Sequence, residues 1–399
     1  VAREASDNYG SKTMSTGRLV AITHCLVFIS IKFPSLLFEP FPAFVLRCGI
    51  AFTLHILAYW ALAIAAEGTK TSTIQANTIT EYEKRKGARD VVPDVKQIGW
   101  IAAVCSLVLP YLRPEIDPWT ELVVRVSCFF LACKVVDLVA LKAQKPPKLV
   151  SKGGKKDVVD MRDWRRKVEY VSRLFTEARY ASFDIAIDDK SKRKLWREEH
   201  SARYEFFWIW GPRAIIPIMS LLFPVAELQI LLVLVIISSG LEFEHAILHP
   251  HCPNYLFLAP FAASGMQGFW AVHWHQAAQS WLISVGFQPP KWFAMEVLGC
   301  SKDVGNAVGV LGAFALSGLW HAWCAAVLSE RPWMAGTSML LVFVSQGVGC
   351  LLERRLWKNR GPNWVMSLIS WTFAIECGAL WLRFMVPTLK EGVLLMSLW

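Results

Sequence analysis

Residues 304–328 read VGNAVGVLGAFALSGLWHAWCAAVL, a run without one Asp, Glu, Lys or Arg. A membrane-spanning helix needs about 20 mainly apolar residues, and this run has the length and character of one. It carries His321, in Ser317-Gly318-Leu319-Trp320-His321-Ala322-Trp323. A second histidine in apolar surroundings is His275, in Phe269-Trp270-Ala271-Val272-His273-Trp274-His275-Gln276. An ionisable group in hydrocarbon is costly, so it normally faces a cavity, a partner or a substrate path. The two histidines are the first place to look for chemistry.

The rest of the chain supports a membrane setting. Of 399 residues, 54% are hydrophobic, and the mean hydropathy is +0.36. That excludes an ordinary soluble enzyme of this length and fits an all-α polytopic membrane protein. The 19 tryptophans fit too, because indole favours the interface and can wall a lipid-facing cavity. The net charge of +10 sits in polar loops. It points to cytosolic loops facing anionic headgroups rather than to nucleic acid. The cysteines are scattered without a CxxC pair, so neither a disulfide framework nor a zinc knuckle is expected. Val1 to Thr16 lack the layout of a cleaved signal peptide, and the opening Val implies a start further upstream.

Outward from residue 304, the same length rule places spans at Leu19–Phe38, Phe44–Ala66, Ile98–Leu112, Trp119–Leu141, Phe206–Phe223, Val225–Ser239, Tyr255–Trp274, Val304–Leu328, Met334–Leu352 and Trp364–Val386. The expectation is about nine or ten transmembrane helices in a single helical membrane domain, residues 1–399. Residues 142–203 form a basic insertion, with Lys142, Lys145, Lys148, Lys152, Lys155, Lys156, Arg162, Arg165, Arg166 and Lys167. Loop charge makes it cytosolic, along with Glu353-Arg354-Arg355-Leu356-Trp357-Lys358-Asn359-Arg360. Val168–Phe175 and Lys194–Phe207 look amphipathic and suit the interface. Residues 206–386 then form the catalytic helical core.

Three chemistries compete for the histidine-rich region. In acyl transfer, a neutral buried imidazole such as His321 takes the proton of an alcohol attacking a thioester. A second group, His275, stabilises or orients the reacting atoms. Ser317 and Gly318 let a substrate approach the backbone. Trp270, Trp274, Trp320 and Trp323 wall an apolar cavity. A cyclase or isomerase of a terpenoid or polyketide would instead use a carboxylic acid, Glu242, Glu244 or Glu376, beside aromatic faces. A metal-dependent oxidase would draw on His245 and His249, spaced i, i+4, with His251, His273 and His275. The HxxHH boxes of membrane di-iron enzymes are absent from the sequence. His24, His55 and His200 read as packed or solvated polar residues. On a regular helix, positions 273 and 275 point about 200° apart, so His273 and His275 would face different ways.

The two motifs, Phe-Trp-x-x-x-Trp-His-Gln at 269–276 and Ser-Gly-Leu-Trp-His at 317–321, resemble the signature regions of the membrane-bound O-acyltransferases. The nearer likeness is to the wax-synthase-like branch found in fungal natural-product pathways. It covers roughly residues 200 to 390. At the family's Gly-Arg-Arg, this chain has Ala271-Val272-His273. The resemblance implies His321 as catalytic base and His275 at the second active-site position. Trp270, Trp274, His273, Ser317, Trp320, Glu242 and Glu244 are then expected around the substrates. It implies an endoplasmic-reticulum enzyme with no bound cofactor or metal. Acyl-CoA would be the co-substrate, and the acceptor a hydrophobic alcohol in the lipid bilayer. Acetyl transfer to a terpenoid or polyketide hydroxyl is the expected reaction, by analogy with the fungal branch.

Overall fold

A computed structural model describes residues 41–74, 81–112, 117–149, 163–177, 180, 182–185, 204, 206–248, 256–257, 259–274, 277–357 and 363–390. The described residues are helical, with two isolated β-bridges, Leu149 to Phe183 and Ser329 to Leu389. The longer helices, in chain order, are α1 (Phe41–Ile74), α2 (Glu81–Val108), α3 (Pro118–Val135), α4 (Trp164–Thr176), α5 (Gly211–Leu222), α6 (Ala226–Leu248), α7 (Lys302–Ala325), α8 (Pro332–Trp357) and α9 (Trp364–Met385). Their starts follow from local chemistry. Asp117 accepts from Trp119 N–H at 2.9 Å and Thr120 N–H at 3.1 Å, with Pro118 supplying a preset first residue to α3. Ser301 caps α7 through Val304 N–H, and Asn363 caps α9 through Val365 N–H.

Among the described residues, 5 helices are long and apolar enough to cross a membrane: Gly49–Ala66, Ala226–Ile247, Lys302–Leu328, Pro332–Trp357 and Trp364–Thr388. Phe206–Leu222 is a shorter apolar stretch. The described residues therefore bear out a polytopic helical protein but not the count of nine or ten spans expected from the sequence. Leu19–Phe38 lies outside the described residues. Trp119–Leu141 is helical but carries Glu121, Arg125 and Lys134, and continues as a π turn over Val136–Leu141. Ile98–Leu112 is the end of α2, a helix that opens on Glu81-Tyr82-Glu83-Lys84-Arg85-Lys86. Tyr255–Trp274 is no continuous helix: a short turn at Pro260–Ala262 gives way to extended backbone at Gly265, and helix resumes only at Met266. Proline and glycine override the apolar composition there.

The chain divides into two compact units. The first comprises residues 1–39, 188–276 and 348–387. In it α6 packs against α5 and α9, and Arg383 of α9 pairs with Glu227 of α6. The second comprises residues 40–187, 277–347 and 388–399. Here α1 packs on α2 and α4, and α2 on α3, around Tyr59, Leu62, Val135, Leu138, Val139, Tyr170 and Leu174. Amphipathic α4 turns Tyr170, Val171 and Leu174 inward, while Trp164 and Val168 are exposed. On its outer side, partial burial raises the Glu169 pKa, but the Arg166 and Arg173 guanidiniums outweigh that and hold it below the usual carboxylate value.

Asp137, fully buried in the π turn after α3, holds the second unit together from inside. Lys142 Nζ lies 2.6 Å from its Oδ1. Ser284 donates to Oδ1 at 2.6 Å, Ser280 to Oδ2 at 2.7 Å, and Lys142 reaches Ser280 Oγ at 3.3 Å. A buried carboxylate is tolerable only with this degree of pairing.

Helix α7 packs on the helical run Gln279–Val297, where α and π turns alternate. Close approach is permitted by glycine: a Cβ at Gly312 would lie 2.6 Å from Gly286 O and 2.6 Å from Pro290 Cγ. Both neighbours are stiff, so Gly312→Val must force the elements apart. We expect a loss of about 1–3 kcal/mol, measured as a lower unfolding midpoint of the detergent-solubilised protein. An unchanged midpoint would show that the contact is slack.

Candidate active site

The second motif lies in the C-terminal half of α7. One helical turn separates Ser317 from His321, so the Ser317 carbonyl sits below the imidazole. His321 Nδ1 is 2.7 Å from Ser317 O. A carbonyl oxygen only accepts, so Nδ1 bears the hydrogen, and in the neutral ring Nε2 carries the lone pair. The ring stacks on Phe343 of α8, with centroids 4.1 Å apart and planes inclined by 27°. Tautomer and orientation are thus both set by packing within the second unit.

Trp320, one residue back, turns into an aromatic cluster. It stacks on Phe129 at 6.1 Å, meets Trp281 edge-on at 5.6 Å and lies 6.3 Å from Phe130. Ala278, Cys133 and Cys324 complete the cluster. Trp323 donates to the Tyr111 hydroxyl at 2.6 Å and offers its carbonyl to Arg125 at 3.0 Å. The Arg125 guanidinium lies over the rings of Tyr111 and Trp323 and is paired with Glu121. These contacts pin the end of α7 just beyond His321. Sequence reasoning gives Gly318 to the substrate, but the structure gives it to packing. A Cβ there would lie 2.9 Å from Leu340 Cδ1 and 3.0 Å from Phe343 Cβ. The bare backbone at Gly318 lets α8 come close enough to place Phe343 under His321.

The first motif lies in the first unit. Phe269–His273 is a π turn, and Trp274 leaves it in extended conformation (φ −109°, ψ 154°). The regular-helix argument that parted His273 from His275 therefore does not apply to this backbone. His273 is half-buried. His275 lies outside the described residues. Trp274 is buried, stacked on Phe269 at 5.3 Å and tilted against Phe257 at 4.7 Å. Trp270 is half-buried and meets Phe269 edge-on at 5.0 Å. Glu242, buried in α6, accepts the Phe257 N–H at 2.7 Å, so it supports the loop that packs on Trp274. Glu244 is exposed on the same helix. Of the other histidines, His55 is fully buried and bonds Ala51 O through Nδ1 at 2.7 Å, as a packed polar residue would.

Within the first unit the structure brings Glu242, Trp270 and Trp274 around Phe257 and Phe269. Within the second it brings Ser317 and Trp320 beside His321. Sequence reasoning missed Phe343, Phe129, Phe130 and Trp281, which decide how His321 and Trp320 sit. No spacing rule points to them. It also gave Glu353 to a charged cytosolic loop, whereas the structure places it within α8, bonded to the backbone of Met266 and Gln267; the cost of a carboxylate at the end of an apolar helix was the available signal.

Residues 252–345, which contain both motifs, match the model described as "Membrane bound O-acyl transferase family". The chain is also 26% identical over 140 residues to "Probable long-chain-alcohol O-fatty-acyltransferase 1" of Arabidopsis thaliana. That similarity covers 35% of this chain and 40% of the relative, so it spans less than half of either. The region that carries the two histidine motifs is thus similar to the membrane-bound O-acyltransferases, and the chain spans less than half the length of the curated relative it matches.

Proposed function

We propose that this protein transfers an acyl group from acyl-CoA to the hydroxyl of a hydrophobic alcohol, with His321 as general base. The observation that carries the proposal is the fixed tautomer of His321, Nδ1–H to Ser317 O at 2.7 Å with the ring stacked on Phe343. The alcohol O–H gives its proton to Nε2 as its oxygen attacks the thioester carbonyl. The tetrahedral intermediate collapses by breaking the C–S bond, and the departing thiolate takes the proton back from the imidazolium. Ester and free CoA leave, and the imidazole is neutral again. His275 is the proposed partner group for the developing oxyanion. Trp270, Trp274, His273, Ser317, Trp320, Glu242 and Glu244 remain the proposed surroundings of the substrates. The superfamily supports an endoplasmic-reticulum location, with the lipid bilayer as the route for the acceptor.

For the substrates, acetyl transfer to a terpenoid or polyketide alcohol is the first reading. The name of the Arabidopsis relative favours a second, a fatty acyl group passed to a long-chain alcohol. Membranes from cells expressing the chain should decide between them. Labelled acetyl-CoA and labelled palmitoyl-CoA are each supplied with a terpenoid alcohol and with hexadecanol. Label in an ester of either alcohol supports acyl transfer, and the productive pair identifies donor length and acceptor class. No labelled ester from any combination, with a product of unchanged mass instead, would mean cyclisation or isomerisation on this scaffold.

A further inference from the structure

The first-motif segment enters its helical turn through Ser264-Gly265, and side chains from two long helices hold that entry. From α8, Glu353 Oε2 accepts the Met266 N–H at 2.7 Å and the Gln267 N–H at 3.4 Å. From α9, Ser370 donates to the same Oε2 at 3.1 Å. Trp371 Nε1–H donates to Ala263 O at 2.9 Å, and Ser367 Oγ to Ser264 O. Gly265 is shaped to the carboxylate: a Cβ there would lie 2.5 Å from Glu353 Oε1. Backbone bonds continue from this point, Phe269 N–H to Gly265 O at 2.9 Å and Trp274 N–H to Phe269 O at 2.7 Å. The anchored strip therefore ends one residue before His275.

We propose that Glu353 is a positioning residue, whose carboxylate fixes the N-terminal end of the first-motif segment and so places His273 and Trp274 for acyl transfer. The consequence for catalysis rests on the function proposed above; the anchoring does not. Three features favour it over a solvated surface role. The carboxylate caps backbone amides at a helical start, where a negative charge is most useful. It is reached from a second helix through Ser370. The one residue whose side chain would displace it is a glycine. A short π turn has few bonds of its own, so its placement depends on what holds its ends. A misplacement of about 1 Å at a reacting group costs roughly 10²-fold in rate.

The test uses the full chain in nanodiscs, with amide hydrogen exchange over residues 266–274 and steady-state kinetics on labelled acyl-CoA. In Glu353→Ala, exchange over that strip should quicken by about 10-fold or more, and kcat should fall roughly 10²-fold with KM for the donor nearly unchanged. Glu353→Gln keeps an oxygen that accepts one N–H, so it should recover most of the loss. Gly265→Ala should expel the carboxylate without removing it and reproduce the Glu353→Ala behaviour. If Glu353→Ala does not fold, the comparison of Glu353→Gln with Gly265→Ala decides, the latter being worse. Unchanged exchange in Glu353→Ala or Gly265→Ala overturns the anchoring. Faster exchange with unchanged kcat overturns the positioning role, as do equal kinetics in the Ala and Gln variants. A wild-type chain that forms no ester with any donor sinks the acyl-transfer reading, while the exchange data still judge the anchor.

Discussion

Replacing His321 with Ala should lower the rate of ester formation by about 10²–10⁴-fold, the usual contribution of a positioned general base. The imidazole is the one group in the second motif held in a defined tautomer, with Nδ1–H on Ser317 O and the ring on Phe343. Removing it takes away the proposed proton acceptor and leaves the surrounding aromatic side chains, so donor KM should change little. His321→Gln fills similar volume but offers no acceptor of comparable basicity, and it should be nearly as inactive as Ala. Both variants should reach membranes at wild-type abundance, because α7 is held by Trp320, Trp323 and the 279–297 run rather than by His321. Activity within a few-fold of wild type in either variant would remove His321 from the chemistry.

The largest expected effect on stability is at Asp137. Lys142→Met would leave a fully buried carboxylate with two serine hydroxyls and no cation. Breaking a buried pair from one side typically costs about 3–5 kcal/mol. The double variant Asp137→Asn, Lys142→Met removes both charges. It should therefore lose much less than the sum of the single losses. The measurement is a thermal or denaturant double-mutant cycle in detergent. Additive losses would mean that the 2.6 Å pair contributes nothing beyond its separate packing.

Sequence period and hydropathy were enough for the C-terminal spans. Val304–Leu328, Met334–Leu352 and Trp364–Val386 lie within or closely match α7, α8 and α9 with its terminal turn. These helices are set by uninterrupted apolar composition and by caps at Ser301 and Asn363. Tyr255–Trp274 failed because apolar content says nothing about backbone: Pro260 and the extended Gly265 break it, and the π turn at Phe269–His273 has no period of its own in the sequence. The same irregularity invalidated the angular argument about His273. At the candidate site, sequence reasoning singled out both His321 and Ser317 but gave Ser317 to the substrate, whereas one helical turn puts its carbonyl 2.7 Å from His321 Nδ1. Phe343, Trp281 and Glu353 were not legible, because each meets its partner only through tertiary packing. Glu242 was legible as an unusual buried acid, yet its observed bond to Phe257 N–H depends on a loop that sequence alone does not fold.

The most direct test of the central claim follows CoA thiol release and product mass together, in membranes bearing wild type or His321→Ala, supplied with labelled acyl-CoA and a hydrophobic alcohol. The account predicts one CoA released per ester formed, a product heavier than the alcohol by one acyl group, and loss of both in the variant. A His321-dependent product of unchanged mass, without CoA release, would contradict it.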